Sequence, residues 1–293
     1  LMFTGTSGAL TFTVNSTALE VLVGAAAKLT IKRYPVHEVS SAVFANQPQI
    51  ALQDLGGNTV PLDATTAVSV TATINQGTLG GDSVVSVAAT GLASFTNLKI
   101  VADGDYMLVF NSSSGLGVGG SHFTVAPGPP ARLLSTAVTG ATGGTAFTGQ
   151  PEVTVVDAGS NAVRTTSGVT VTASISKGTL GGKLTAAVTS GTGVAVFTDL
   201  KIAEADTGYI ITFNSSINIM GTTPAFNVTV GPLASIAVTQ QPAGATGGTP
   251  FTTQPKVTLK DAGGNGVASQ NAQVTVAVST PGTLGGSLTA AVG

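Results

Sequence analysis

The residues with the most chemical potential recur on a fixed spacing. Asp54, Asp157 and Asp261 lie 103 and 104 residues apart, and each is followed four positions later by an asparagine: Asn58, Asn161 and Asn265. At least one glycine stands between them in each copy: Gly56 and Gly57, Gly159, and Gly263 and Gly264. An oxygen-rich turn of this kind is one way to hold calcium. One carboxylate per turn is thin, however, for an ion that takes about six to eight oxygens. A structural turn is the better reading, because Asp accepts hydrogen bonds from backbone just after it and Gly and Asn tolerate positive φ. Two further acidic pairs, Asp103/Asp105 and Glu204/Asp206, fall in matching loops. They read as solvated loop charges, with calcium ligation as the alternative. The expectation is therefore no cofactor, with calcium the one candidate.

The remaining reactive residues make no constellation. The two histidines, His37 and His122, do not occupy matching repeat positions, and no cysteine accompanies them. Neither shows the spacing of a metal site. A Ser/His/Asp triad lacks a nucleophile elbow or an oxyanion context. The glycine-rich pentapeptide Gly-Thr-Leu-Gly-Gly begins at Gly77, Gly178 and Gly282. It joins strand to strand, with no helix N-terminus and no Lys-Ser/Thr pair, so it does not read as a phosphate cradle. No catalytic, cofactor-binding or metal residue is assigned, and an enzyme is not expected. Four sequons offer candidate N-glycosylation at Asn15, Asn111, Asn214 and Asn227. Ser and Thr are abundant enough for this number to arise by chance. Asn111 and Asn214 nevertheless occupy equivalent positions at a strand end.

The elements that carry these residues form a tandem array. The aspartate motif reads Pro48 to Val60, Pro151 to Val163 and Pro255 to Val267. In each, an alternating strand runs into the Asp/Gly/Asn turn and a second strand begins. Linker copies sit at Val23-Gly24, Pro127-Gly128 and Val230-Gly231. Phe44, Phe147 and Phe251 open a Phe-x-x-Gln-Pro motif and are expected to anchor cores. Phe95, Leu98 and Ile100, matched by Phe197, Leu200 and Ile202, alternate toward the inside. Tyr106 and Tyr209 stand at the entry to a late strand, as in the tyrosine corner of Ig-like sandwiches. About seven short strands per repeat point to a two-sheet sandwich, and no stretch has a helical period. The fold expected is all-β: tandem Ig-like β-sandwich domains joined by short Gly/Pro linkers.

The implied domains are 1–24 (the last strands of a repeat), 25–128, 129–231 and 232–293 (the first part of another). Phe3 aligns with Phe110 and Phe213. Laid on the second repeat, the two ends together leave about residues 190–210 uncovered. An excerpt of a longer array is therefore preferred to strand exchange between chains.

Composition narrows the class. Charged residues make up 8% of the 293-residue chain and the net charge is −2, so neither nucleic acid nor an anionic membrane is an expected partner. The sequence contains no apolar run of membrane-spanning length. Absence of cysteine removes a disulfide framework without fixing the compartment.

The motifs Asp157-Ala-Gly-Ser-Asn161, Val169-Thr-Val171, Gly178-Thr-Leu180 and Gly193-Val-Ala-Val-Phe197 resemble the bacterial Ig-like repeats of intimin and invasin-type surface proteins. The resemblance covers both full repeats and the partial third. It implies a rigid extracellular stalk at the cell surface, built to display or space something else. The interval from Asp54 to Gly77 is longer than that from Asp157 to Gly178, and the chain is unusually poor in charge. These departures leave room for a related eukaryotic surface or filament protein of the flagellar-hair kind. The function expected is structural: a stalk, or a filament or sheath packed laterally from copies of itself or neighbouring repeats. A cell-surface adhesin binding a glycan or receptor, and an accessory array of a secreted enzyme, are the alternatives.

Overall fold

A computed structural model of the chain describes residues 2–292 apart from 19, 64, 269–271, 280 and 281. Leu1 and Gly293, the outer bounds of the two partial repeats, lie outside the described residues. The chain forms two units, Leu1–Gly128 and Pro129–Gly293. The fold is all-β, with no helix among the described residues.

In the first unit, the strand Gln49–Gln53 pairs on one side with Lys28–Arg33 and on the other with Leu92–Ser94. A four-stranded sheet runs Gly117–Gly119, Leu108–Ser112, Ser69–Ile74 and Val84–Ser86. A third sheet sets Phe123–Ala126 between Gly104–Tyr106 and the parallel strand His37–Val39. Val70 and Ala72 are buried while Thr73 is exposed, the alternation of strands with one face turned inward. The core between the layers is built from Ile50, Leu52, Val70, Phe95, Leu98, Ile100, Leu108, Phe110 and Phe123.

The second unit repeats this plan. Val171 and Ala173 face inward while Thr170, Thr172 and Ser174 face out. One strand, Thr185–Thr189, belongs to both layers: residues 185–187 pair with Thr170–Ile175, and 188–189 pair with Val194–Val196. The layers thereby join as one seven-stranded sheet folded over its own core. Val153, Val155, Val171, Phe197, Leu200, Ile202, Ile211 and Phe213 fill that core.

The inward positions read from the sequence hold: Phe95, Leu98 and Ile100, with Phe197, Leu200 and Ile202, are at most 2% exposed. The tyrosine corners also form, Tyr106 Oη donating to Ala102 O at 3.2 Å and Tyr209 Oη to Glu204 O at 2.9 Å. Strand number differs from the expected seven. The described residues of 25–128 hold twelve strands, because alternating runs change pairing partner partway: Leu92–Ser94 pairs with Gln49–Gln53 and Lys99–Ile100 with Leu79–Gly80, while Gly104–Tyr106 pairs with Phe123–Ala126 and Leu108–Ser112 with Ser69–Ile74. One phenylalanine also departs from expectation. Phe251 is half-buried, unlike Phe44 and Phe147. Phe3 is 57% exposed, on the hairpin Met2–Ser7/Leu10–Asn15, whereas Phe110 and Phe213 are fully buried. Burial at that position needs the opposite layer, and the hairpin lies outside the buried cluster of its unit.

A buried Phe at the centre of each sandwich supports a direct test. Phe213→Ala removes a fully buried ring and is expected to destabilise the Pro129–Gly293 unit by about 3–5 kcal/mol. Calorimetry on the whole chain should show the transition of that unit move to lower temperature while that of Leu1–Gly128 keeps its place.

Candidate functional site

The repeated acidic turn is the site that sequence reasoning singled out, and in every copy its carboxylate faces N–H groups. A strand brings Asp54 to the end of Gln49–Gln53. There Oδ1 accepts the backbone N–H of Asn58 at 2.8 Å, and the Asn58 side-chain amide donates to Oδ2 at 3.0 Å. Oδ2 also accepts the N–H of Gly24, in the linker, at 2.9 Å. The chain then reverses, Asp54 N–H donating to Asn58 O and Val60 N–H to Leu52 O. Asp157 accepts the Asn161 backbone N–H at 2.8 Å and its side-chain amide at 2.9 and 3.0 Å. Asp261 repeats the pattern with Asn265 and accepts the N–H of Gly231 at 2.9 Å. The fourth turn residue takes positive φ: Gly57 at 87°, Ser160 at 72° and Gly264 at 86°.

Electrostatics follow from this geometry. The Asn58 side chain, then the N–H of Gly24, hold the Asp54 carboxyl at about 2. Burial pushes the Asp261 carboxyl up, but the N–H of Gly231 and the amide groups of Asn265 outweigh it and bring it to about 2. A carboxylate already surrounded by donors is a hydrogen-bond acceptor in a closed turn. Its oxygens point at N–H groups, which is the wrong polarity for a cation site. Among the described residues, no three His, Cys, Asp or Glu side chains gather into a set able to hold a metal.

The other candidates are dispersed. Asp105 meets His122 Nδ1 at 3.1 Å, both exposed, and His37 lies on a separate strand against Thr124 Oγ1 at 2.9 Å. Asp206 takes Lys177 Nζ at 2.6 Å, and the same ammonium lies 4.8 Å from the Tyr209 ring. Lys177 lowers the Asp206 carboxyl, and burial raises the Tyr209 hydroxyl. The loop pairs Asp103/Asp105 and Glu204/Asp206 thus meet different partners in the two repeats. The first two Gly-Thr-Leu-Gly-Gly turns are packing devices, whereas a Cβ on Gly286 of the third meets nothing within 4 Å. A Cβ on Gly81 would lie 2.2 Å from Asn97 O, and one on Gly182 2.3 Å from Asp199 O. Asn15, Asn111, Asn214 and Asn227 are all exposed, and Asn227 Oδ1 accepts the N–H of Gly208 at 3.0 Å.

The glutamine of the Phe-x-x-Gln-Pro motif has a role that sequence reasoning missed. Gln47 Nε2 donates to Leu98 O at 2.9 Å while its Oε1 accepts Leu98 N–H at 3.0 Å. Gln150 makes the same pair with Leu200, both at 3.0 Å. The side-chain amide pairs as a strand residue would, and its recurrence one residue before proline was the available signal.

No protein-family model matches the sequence, and no curated protein matches it. Among solved structures, the chain is similar to Yersinia pseudotuberculosis InvD (20% identity, 82% of this chain and 72% of that one, TM-score 0.33). It is also similar to the Yersinia pseudotuberculosis adhesin InvE (18% identity, 73% and 67% covered, TM-score 0.32). The Escherichia coli adhesin FdeC matches at 16% identity, with 90% and 84% covered and a TM-score of 0.29. A C-terminal fragment of intimin and an invasin match too, as does a β-glucuronidase from Parabacteroides merdae. With identities no higher than 20% and TM-scores no higher than 0.33, the chemistry of the site is read from the residues of this chain.

The depressed carboxylates predict an acid sensitivity of defined sign. Asp54 and Asp261 are held at about 2 in the folded chain, below the ordinary 3.8. Their contribution is whole above pH about 4 and is lost as pH falls through about 2. Carbon-detected NMR titration of the carboxyl groups should give midpoints near 2 for both, and the midpoint of chemical denaturation should fall across the same interval. Ordinary midpoints for the two groups would contradict the hydrogen-bonded turn.

Proposed function

We propose that this chain is a non-enzymatic structural protein of the cell exterior, in which tandem sandwiches serve as units of length in a stalk or a laterally packed filament. The observation that supports this reading is which residues recur. At equivalent places in the two full repeats stand residues that make the fold: Phe95 and Phe197, Tyr106 and Tyr209, Gln47 and Gln150. Side chains able to do acid–base or nucleophilic chemistry do not recur as a set. His37 lies on a strand and His122 just before another, with different partners. A repeat that preserves packing and varies its reactive groups suits a spacer, whose stability sums over neighbouring units.

Low charge supports lateral assembly with copies of the same chain. At 8% charged residues the outer faces are largely Thr, Ser and small apolar groups, and Leu55, Leu134 and Val196 stand at least 50% exposed. Asn111 and Asn214, equivalent and exposed, are the places where such a surface would carry glycans. No helix among the described residues is long and apolar enough to cross a membrane.

Single-molecule pulling of the whole chain tests the spacer reading. Each full repeat should open as a separate force peak, with a contour gain on the order of 350 Å for roughly 100 residues. Featureless extension at low force would remove the reading, because a spacer that unravels without resistance cannot hold distance.

A further inference from the structure

The turn at Asp261 stands where the second sequence repeat meets the third, and its polar groups are divided between them. Asp261 Oδ1 accepts the N–H of Gly263 at 2.9 Å and of Asn265 at 2.8 Å, both within its own turn. Oδ2 accepts the N–H of Gly231, in the linker, at 2.9 Å. Asn265 reaches into the preceding repeat. Its side-chain amide donates to Ala203 O at 2.7 Å, and its side-chain oxygen accepts the N–H of Ala205 at 2.9 Å. Ala203 and Ala205 belong to the loop just before the strand Asp206–Tyr209 of the second repeat. One carboxylate and one amide therefore tie three segments: the linker, the turn and the loop of the neighbour. Asp261 is 2% exposed, so its bond to Gly231 is sheltered from competing water, while the Asn265 bond to Ala203 lies at the exposed rim of the joint.

Backbone contact around the joint leaves no room for side chains. A Cβ on Gly143 would lie 2.2 Å from Asn265 Nδ2 and 2.4 Å from Asp261 Oδ2. One on Gly144 would lie 2.3 Å from the backbone of Ala262 and Gly263. One on Gly263 would lie 2.1 Å from Ala203 O. The same loop recurs in the third repeat as Thr246-Gly247-Gly248-Thr249, and there a Cβ on either glycine meets nothing within 4 Å. The docked turn is thus what demands glycine at 143, since the same loop elsewhere leaves the space open.

We propose that the Asp261–Asn265 turn is an inter-domain latch that locks the third repeat onto the second, with Gly143-Gly144 and the Ala203–Ala205 backbone as its receptor. The surface it fits is defined chemically: two adjacent glycines beside one free carbonyl and one free N–H, two residues apart. Half of the device is repeated in the first unit, where Asp54 holds the N–H of Gly24 at 2.9 Å, as Asp261 holds that of Gly231. The linker is thereby fixed by the aspartate that follows it by 30 residues, and the orientation of the repeats is set by a turn rather than by linker stiffness. This inference stands on residues 143–265 and does not depend on the spacer function.

The chain has no cysteine, so Ala187→Cys and Thr239→Cys, both at exposed positions, place one spin label on each of the two repeats of the whole chain. Pulsed electron–electron resonance on this labelled parent should give one narrow distance distribution. Gly143→Ala should widen it about twofold or more, because neighbouring domains move independently unless an interface holds them. Asn265→Ala should do the same. Gly247→Ala, the same substitution in the same loop away from the joint, should leave the width unchanged. A parent distribution that is already broad overturns the latch, as does a width that Gly143→Ala leaves unchanged or that Gly247→Ala increases equally. Should Asn265→Ala unfold the third repeat, Gly143→Ala decides alone, since it leaves every residue of that repeat in place.

Discussion

A buried carboxylate survives only where donors surround it, and this requirement organises the chain. Asp54, Asp157 and Asp261 are each at most 5% exposed. Each satisfies its oxygens with the N–H groups of its own turn and with an asparagine amide four residues on. The reversal this enforces delivers the next strand back to the one before, as Val163 N–H meeting Val155 O illustrates. Removing the asparagine side chain would take away one group of donors and leave the backbone N–H bonds to hold the buried charge, which costs more than one ordinary hydrogen bond returns.

The same bonds explain why the turn makes no reactive centre. A group held as an anion by fixed N–H donors is a poor general base near neutral pH, because its proton affinity has already been lowered. Gln47 and Gln150 are similarly committed, each accepting the N–H of Leu98 or Leu200 and donating to a carbonyl that also accepts a backbone N–H, from Phe44 or Phe147. The polar residues of these repeats are occupied with satisfying backbone at places where the sheets break. What remains outside those places is a weakly charged surface, which is the property a laterally packed structural protein would use.

Much of the fold was legible because its signals are local. The alternation Val171, Ala173 against Thr170, Thr172 states which face is buried without reference to anything distant. Phe95, Leu98 and Ile100 were readable for the same reason, as were the tyrosine corners, whose hydroxyls bond within about five residues. The number of strands was not legible. A run that looks continuous is cut where it changes pairing partner, and that depends on the neighbouring strand. The crossing of Thr185–Thr189 between layers is such a case, since its sequence carries no mark of the change of partner. Burial of Phe251 was misjudged because motif identity shows where a ring is aimed, whereas burial depends on what stands opposite.

By itself, the sequence determined the repeat length, the all-β class, the place of each Asp/Asn turn and the residues that face inward. Each of these follows from steric and hydrogen-bonding preferences acting over a few residues, and repetition made the pattern plain. Tertiary structure alone decided what the turns touch. That Asp261 reaches back to Gly231 and Asn265 reaches Ala203 and Ala205 depends on segments 30 to 62 residues away, brought together by folding. It also decided which glycines are required. Gly143 and Gly247 are identical in sequence context, yet one is packed against a neighbouring turn and the other faces open space. Contacts of this kind are set by the joining of folded units, and no short window of sequence carries them.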